Sequence, residues 1–278
     1  MKKKLLSLLL ASCAFALVGC NENGGKDDHV HVWEKGALDN GVITYSCTGC
    51  TKTKTENKTE LYQTTCNNIA TEMNTLAPKG AKAAPTSTLS DEEADAFMEA
   101  PEMMYIQVKG VAVYVEWLAL MMQNQDFRIT AAPVSFTCSY NKIGEDVEAN
   151  LMYTFDEEND KVTMYWDVVS TKINTITDIF LYIDVDYDFE NSKVVAFEIY
   201  TQQKMMQRDL GSISTNLLCW IYEGGVLKVP DPNAADLSFI NVKINTLKTT
   251  MTEALASVID LDADFTTEYT TIMDKMNN

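Results

Sequence analysis

The sequence predicts an α+β fold: an antiparallel β-meander packed against N- and C-terminal helices, preceded by a small knuckle-like segment. Three patterns carry this expectation. An apolar period near 3.6 follows residue 58 and returns towards the C-terminus, a period of two fills the middle, and a Cys-x-x-Cys pair lies near the start.

Residues 59–76 read as a helix, because Tyr62, Cys66, Ile69, Met73 and Leu76 are spaced four, three, four and three. Pro78 and Gly80 stop it. A loop rich in Ala, Pro, Thr and Ser follows, and Ser90-Asp91-Glu92-Glu93 resembles a capping box for a helix running to Pro101. Residues 103–123 form an apolar helix on this reading, with strand as the alternative because of Val108, Val111, Val113 and Val115.

The period then becomes two. Val134, Phe136, Cys138 and Tyr140 alternate with polar residues. So do Val147, Ala149, Leu151, Tyr153 and Phe155, then Val162, Met164, Trp166 and Val168. Ile179 to Phe189 alternates with Asp184, Asp186, Asp188 and Glu190, and the Asn191-Ser192 turn leads into Val195, Phe197 and Ile199. One buried face and one mostly polar face are expected. Asp231-Pro232 suits a helix start. Leu237, Ile240, Ile244, Leu247, Met251 and Val258 make one apolar face, and Phe265, Tyr269, Ile272 and Met276 another. Both helices are expected on the apolar side of the sheet.

At 278 residues and 46% hydrophobic, the chain can bury a substantial core. Its formal charge of −18 argues against nucleic acid as a partner, since phosphates demand a basic face. It argues equally against electrostatic recruitment to anionic lipid.

The first residues divide into Lys2-Lys3-Lys4, an apolar uncharged stretch over 5–18, and Leu17-Val18-Gly19-Cys20. The last four resemble the bacterial lipobox. That resemblance implies a signal peptide over 1–19, lipidation of the Cys20 thiol and cleavage just before it. Acyl chains on Cys20 would then hold the mature chain to the cell membrane on its extracytoplasmic side. One acyl chain binds only marginally, whereas two or three hold firmly. Residues 20–28 read as a polar tether.

His29 and His31, the two histidines of the chain, precede Cys47-Thr48-Gly49-Cys50. Two thiolates on one tight turn suit a tetrahedral ion, and His29, His31, Cys47 and Cys50 would complete a structural zinc site. A Cys47–Cys50 disulfide, a redox pair and an unmetallated knuckle are the alternatives. Four sulfur and nitrogen ligands leave no open position for catalytic water. The run His31-Val32-Trp33, Gly41, Tyr45-Ser46-Cys47-Thr48-Gly49-Cys50 and residues 51–56 also resembles a short module of Gram-positive gut-bacterial surface proteins. Leu38-Asp39-Asn40 stands where many such modules carry another Cys, and Thr51 replaces the usual Gly. Residues 29–57 are therefore a candidate zinc module, and 58–278 the α+β body.

Cys66, Cys138 and Cys219 fall on apolar faces and are expected as core thiols. Asp184-x-Asp186-x-Asp188 and Asp260-x-Asp262-x-Asp264 lack the Gly and Glu of a calcium loop. Tyr165, Phe180, Tyr182 and Tyr200 lie opposite the expected core. They form a candidate binding surface for glycan, peptide or protein, unless helices cover this side too, which is the simpler arrangement. The sequence thus favours a non-enzymatic binding or adhesion-type lipoprotein. A carrier of apolar ligands in a sheet–helix cavity comes second, and a carboxylate-dependent hydrolase third.

Overall fold

The structure, a computed structural model, describes residues 30–76, 101–142, 144–228 and 237–276. Cys20, His29, the tether, the helix expected from Ser90 and the Asp231-Pro232 cap lie outside the described residues. The chain divides into two compact units. The smaller contains the residues up to Gly36 with Thr44–Thr55, and the larger contains Ala37–Ile43 with Glu56 onward.

Three short strands, β1 (Trp33–Asp39), β2 (Val42–Cys47) and β3 (Thr53–Asn57), pair in chain order. Asn40 and Gly41 join the first two with φ of 47° and 74°, the doubly positive backbone of a type I′ hairpin turn. Gly41 is fixed on both sides within the larger unit. Its N–H donates to Ile129 O at 2.8 Å, and its carbonyl accepts from Lys58 N at 2.7 Å.

The body is an eight-stranded sheet. Its strands are β4 (Val134–Tyr140), β5 (Glu145–Asp156), β6 (Lys161–Thr171), β7 (Thr175–Asp188), β8 (Lys193–Gln207), β9 (Ser212–Glu223), β10 (Val226–Lys228) and β11 (Ile259–Asp260). From β4 to β10 it is an antiparallel meander, and β11 adds beside β4 in parallel. Among the described residues four α-helices accompany it: α1 (Thr59–Thr75), α2 (Pro101–Met121), α3 (Leu237–Ala254) and α4 (Thr266–Met276). The α+β expectation holds, and the apolar run after residue 103 is helix rather than strand.

One sheet face packs on α1, α2 and α4. Leu151, Met164, Trp166, Ile183 and Ile199 meet Ile69, Leu118, Phe265 and Ile272 in one core. Trp117 of α2 contacts Trp166, Phe136 and Tyr269 at ring-centroid distances of 5.0–5.5 Å. Tyr62 of α1 stacks on Phe155 at 4.1 Å. Full burial of such side chains is worth about 1.5–3 kcal/mol each, so this layer dominates the fold's stability.

The two C-terminal helices do not share that face. Helix α3 crosses to the opposite side, where Ile240, Ile244, Leu247 and Met251 bury Phe180, Tyr182, Tyr200 and Cys219 in a second core. The candidate binding surface is corrected accordingly. Phe180, Tyr182 and Tyr200 are buried and Tyr165 packs against them, because α3 supplies the apolar cover their alternation demanded. Phe180 to Ile183 is consequently buried on both faces.

Candidate metal centre

The small unit has almost no core. Among its described residues Cys47 alone is buried. Backbone geometry brings the ligand set together. Strand β2 delivers Cys47 to the mouth of the knuckle, and the Cys47 N–H donates to Lys52 O at 3.0 Å, closing the loop that carries Cys50. Thr48 then ties the knuckle to the chain beside His31. Both its N–H (2.9 Å) and its Oγ1 (3.3 Å) donate to the carbonyl of Val32.

The consequence is a three-atom cluster. His31 Nδ1 lies 3.3 Å from Cys47 Sγ and 3.4 Å from Cys50 Sγ, and the three ligand atoms fall within 4.8 Å of one another. Metal–nitrogen bonds near 2.0 Å and metal–sulfur bonds near 2.3 Å at tetrahedral angles place such ligand atoms about 3.5 Å apart. The observed spacings match that edge length. Cys47 and Cys50 are not joined in a disulfide. The cluster is therefore close enough to hold a metal ion through one imidazole nitrogen and two sulfurs.

The surrounding aromatic residues brace the ring. The Trp33 and His31 rings lie 5.1 Å apart. Lys54 of β3 sits over Trp33 at 5.2 Å and over Tyr45 at 4.8 Å. A cation over a ring is worth about 0.5–1 kcal/mol at an exposed site, enough to bias strand pairing but not to fold the unit. The bracing role of Lys54 was missed at the level of sequence. Its place in the Lys/Thr/Glu alternation over residues 51–56 is the signal that could have found it.

The remaining candidates separate cleanly. Cys66, Cys138 and Cys219 are buried free thiols, as their spacing implied. Burial pushes the Cys219 thiol up to about 11 and that of Cys138 up to about 12, and raises that of Cys66 strongly. Such groups stay protonated and inert at neutral pH. Asp184 and Asp186 share Lys161, whose Nζ lies 3.6 Å and 2.5 Å from them. The Asp188 carboxylate instead accepts from the backbone and side chain of Asn191, at 2.8 Å in each case.

No family model matches the chain, and no curated protein or solved structure is similar to it. The candidate metal centre accordingly rests on the geometry of His31, Cys47 and Cys50.

Proposed function

We propose that the chain is an extracytoplasmic lipoprotein held to the cell membrane by acyl chains on Cys20. In this reading a structural zinc module stands between the tether and a non-enzymatic binding body. The observation that carries it is the convergence of His31, Cys47 and Cys50 a short way downstream of Leu17-Val18-Gly19-Cys20. Soft thiolate and imidazole donors suit zinc, and His29 is the residue proposed to close the tetrahedron.

Energetics support a structural role for the ion. Ordering a residue costs about 1–2 kcal/mol, far beyond what one buried cysteine returns to the small unit. Structural zinc contributes about 10–16 kcal/mol to comparable peptides, which is the right size to offset that cost. The carrier reading loses support because stacked Trp117 and Trp166 fill the layer between helices and sheet. Among the described residues no helix is long and apolar enough to cross a membrane, so lipid on Cys20 would carry the attachment.

Intact-mass analysis of the membrane-extracted chain tests the anchor. The reading expects a chain beginning at Cys20 with a diacylglyceryl thioether, and release of the Cys20→Ala variant into the soluble fraction. A bare Cys20 sulfur, or unchanged membrane retention of Cys20→Ala, overturns it.

A further inference from the structure

Strand β9 is paired in full on one side only. Ser212–Glu223 pairs with β8 as far as Ala196, without a register shift. On its other side β10 pairs with Ile221, Tyr222 and Glu223 alone. Among the described residues no further strand lies against Ser212–Cys219, and no other backbone hydrogen bond reaches that edge. The opposite margin of the sheet ends in the two-residue β11, a short edge that offers little to pair with.

The turn between β9 and β10 fixes which backbone groups face outward. Gly224 and Gly225, with φ of 60° and 80°, form a two-residue loop between Glu223 and Val226, which stand opposite each other. A hydrogen-bonded pair closes such a loop, so the Glu223 N–H and C=O point away from β8. Alternation along the strand then aims the N–H and C=O of Ile213, Thr215 and Leu217 at the open edge. Those of Ser212, Ser214 and Asn216 face β8.

Natural sheet edges carry lysine, proline or a bulge that discourages another strand. This one has none of them. From Ser212 to Tyr222 there is no charged residue and no proline, in a chain of net charge −18. Ser212–Asn216 is exposed throughout. Two acidic copies repel each other, and this margin lets them meet with no carboxylate on the contacting strands.

We propose that a second copy of the chain pairs here, β9 against β9, about a two-fold axis at Thr215. Antiparallel self-pairing is isologous, so the edge supplies its own complement. The axis sets Thr215 opposite its own counterpart, and Ile213 opposite Leu217 on either side of it. The outward groups of these three residues in each copy form about six hydrogen bonds. Ile213, 70% exposed in the single chain, gains an apolar cross-strand neighbour. This register spans Ser212–Leu218 and stops short of the chain leaving β10 at Lys228, which lies opposite Ile221. A second copy is favoured over a foreign extended peptide because the strand matches itself, apolar to apolar and hydroxyl to hydroxyl. The inference rests neither on lipid at Cys20 nor on the metal centre.

The test follows the purified chain from dilute to concentrated solution. Sedimentation equilibrium should show a reversible monomer–dimer transition. With it the amides of Ile213, Thr215 and Leu217 should exchange about tenfold more slowly, while those of Ser212, Ser214 and Asn216 stay as they were. Thr215→Pro removes an N–H that bonds nothing within one copy. Thermal unfolding should therefore hold, while the dissociation constant rises about tenfold or more. Thr215→Cys should cross-link two copies under mild oxidation, since the paired positions stand about 5.5 Å apart, and peptide mapping identifies the joined thiols. If Thr215→Pro fails to fold, the Thr215→Cys cross-link decides alone. A chain that stays monomeric, its outward amides exchanging freely at every concentration, overturns the proposal. So does a dimer that Thr215→Pro leaves equally tight and Thr215→Cys fails to cross-link.

Discussion

The indole of Trp117 lies stacked on that of Trp166, ring centroids 5.0 Å apart at 20°, and neither Nε1 has a hydrogen-bond partner. The pair joins helix α2 to strand β6 at the centre of the main core. It combines large apolar burial with two desolvated donors, and the terms separate by substitution.

Trp117→Ala should cost about 3–5 kcal/mol in urea unfolding, the range for emptying a buried aromatic site. Trp117→Phe should cost clearly less than its lost volume suggests, because it removes an orphaned N–H whose desolvation costs about 1–3 kcal/mol. A Trp117→Phe loss as large as its lost volume predicts would show that the unpaired donor carries no penalty.

Lys58 gives a pH signature. Its ammonium is nearly buried and lies 2.7 Å from Glu56 and 2.8 Å from Glu157. Burial pulls its pKa down, but the hydrogen bonds to Glu157 and Glu56 outweigh that and hold it above the ordinary lysine value. A cation with a raised folded-state pKa stabilises fully below its unfolded pKa, and loses that contribution as pH rises through the folded value. The parent should therefore lose stability relative to Lys58→Met above about pH 10.4. Parallel alkaline denaturation curves for the two would contradict this.

Gly41 and Gly110 should respond in opposite directions to Ala. At Gly41, φ is +74° and an added Cβ would sit 2.4 Å from Thr59 Oγ1. A loss of about 1–3 kcal/mol is expected from strain and displacement. At Gly110, within α2, an added Cβ meets nothing within 4 Å, and Ala should gain about 0.4–1 kcal/mol. Thermal unfolding of the two single variants decides both.

Much of the fold was legible because burial wrote it into the sequence. Cys66 on the stripe of α1 and the alternation through β4–β7 record which side chains face the main core. The side chosen by α3 was not legible. Its stripe declares an apolar face, yet nothing local says which sheet surface will receive it. Phe180, Tyr182 and Tyr200 allowed either an exposed binding surface or a second helical cover, the simpler arrangement, and α3 supplies the cover. The outer part of β8, Gln203–Gln207, also escaped notice, because strand that projects past its cover has no inward face to pattern. In the small unit, strand β3 is wholly exposed and wrote no apolar alternation. His31, Cys47 and Cys50 were legible even so, since ligand chemistry requires particular residue types where packing does not.

Thiol accessibility separates core cysteines from ligands. In the native chain at pH 8, with a strong chelator present, iodoacetamide should modify Cys47 and Cys50 within minutes. Cys66, Cys138 and Cys219 should stay unmodified until the chain unfolds, because burial keeps all three protonated. Peptide mass mapping gives the pattern. Early modification of Cys219 would mean that α3 lifts readily from the second core.

The most direct measurement is metal content of the purified chain, together with the same alkylation assay run without chelator. The account predicts close to one zinc per chain, protection of Cys47 and Cys50, and loss of both properties in Cys47→Ser and His31→Ala. Zinc near zero, with the two knuckle thiols reacting freely in the native protein, would contradict it.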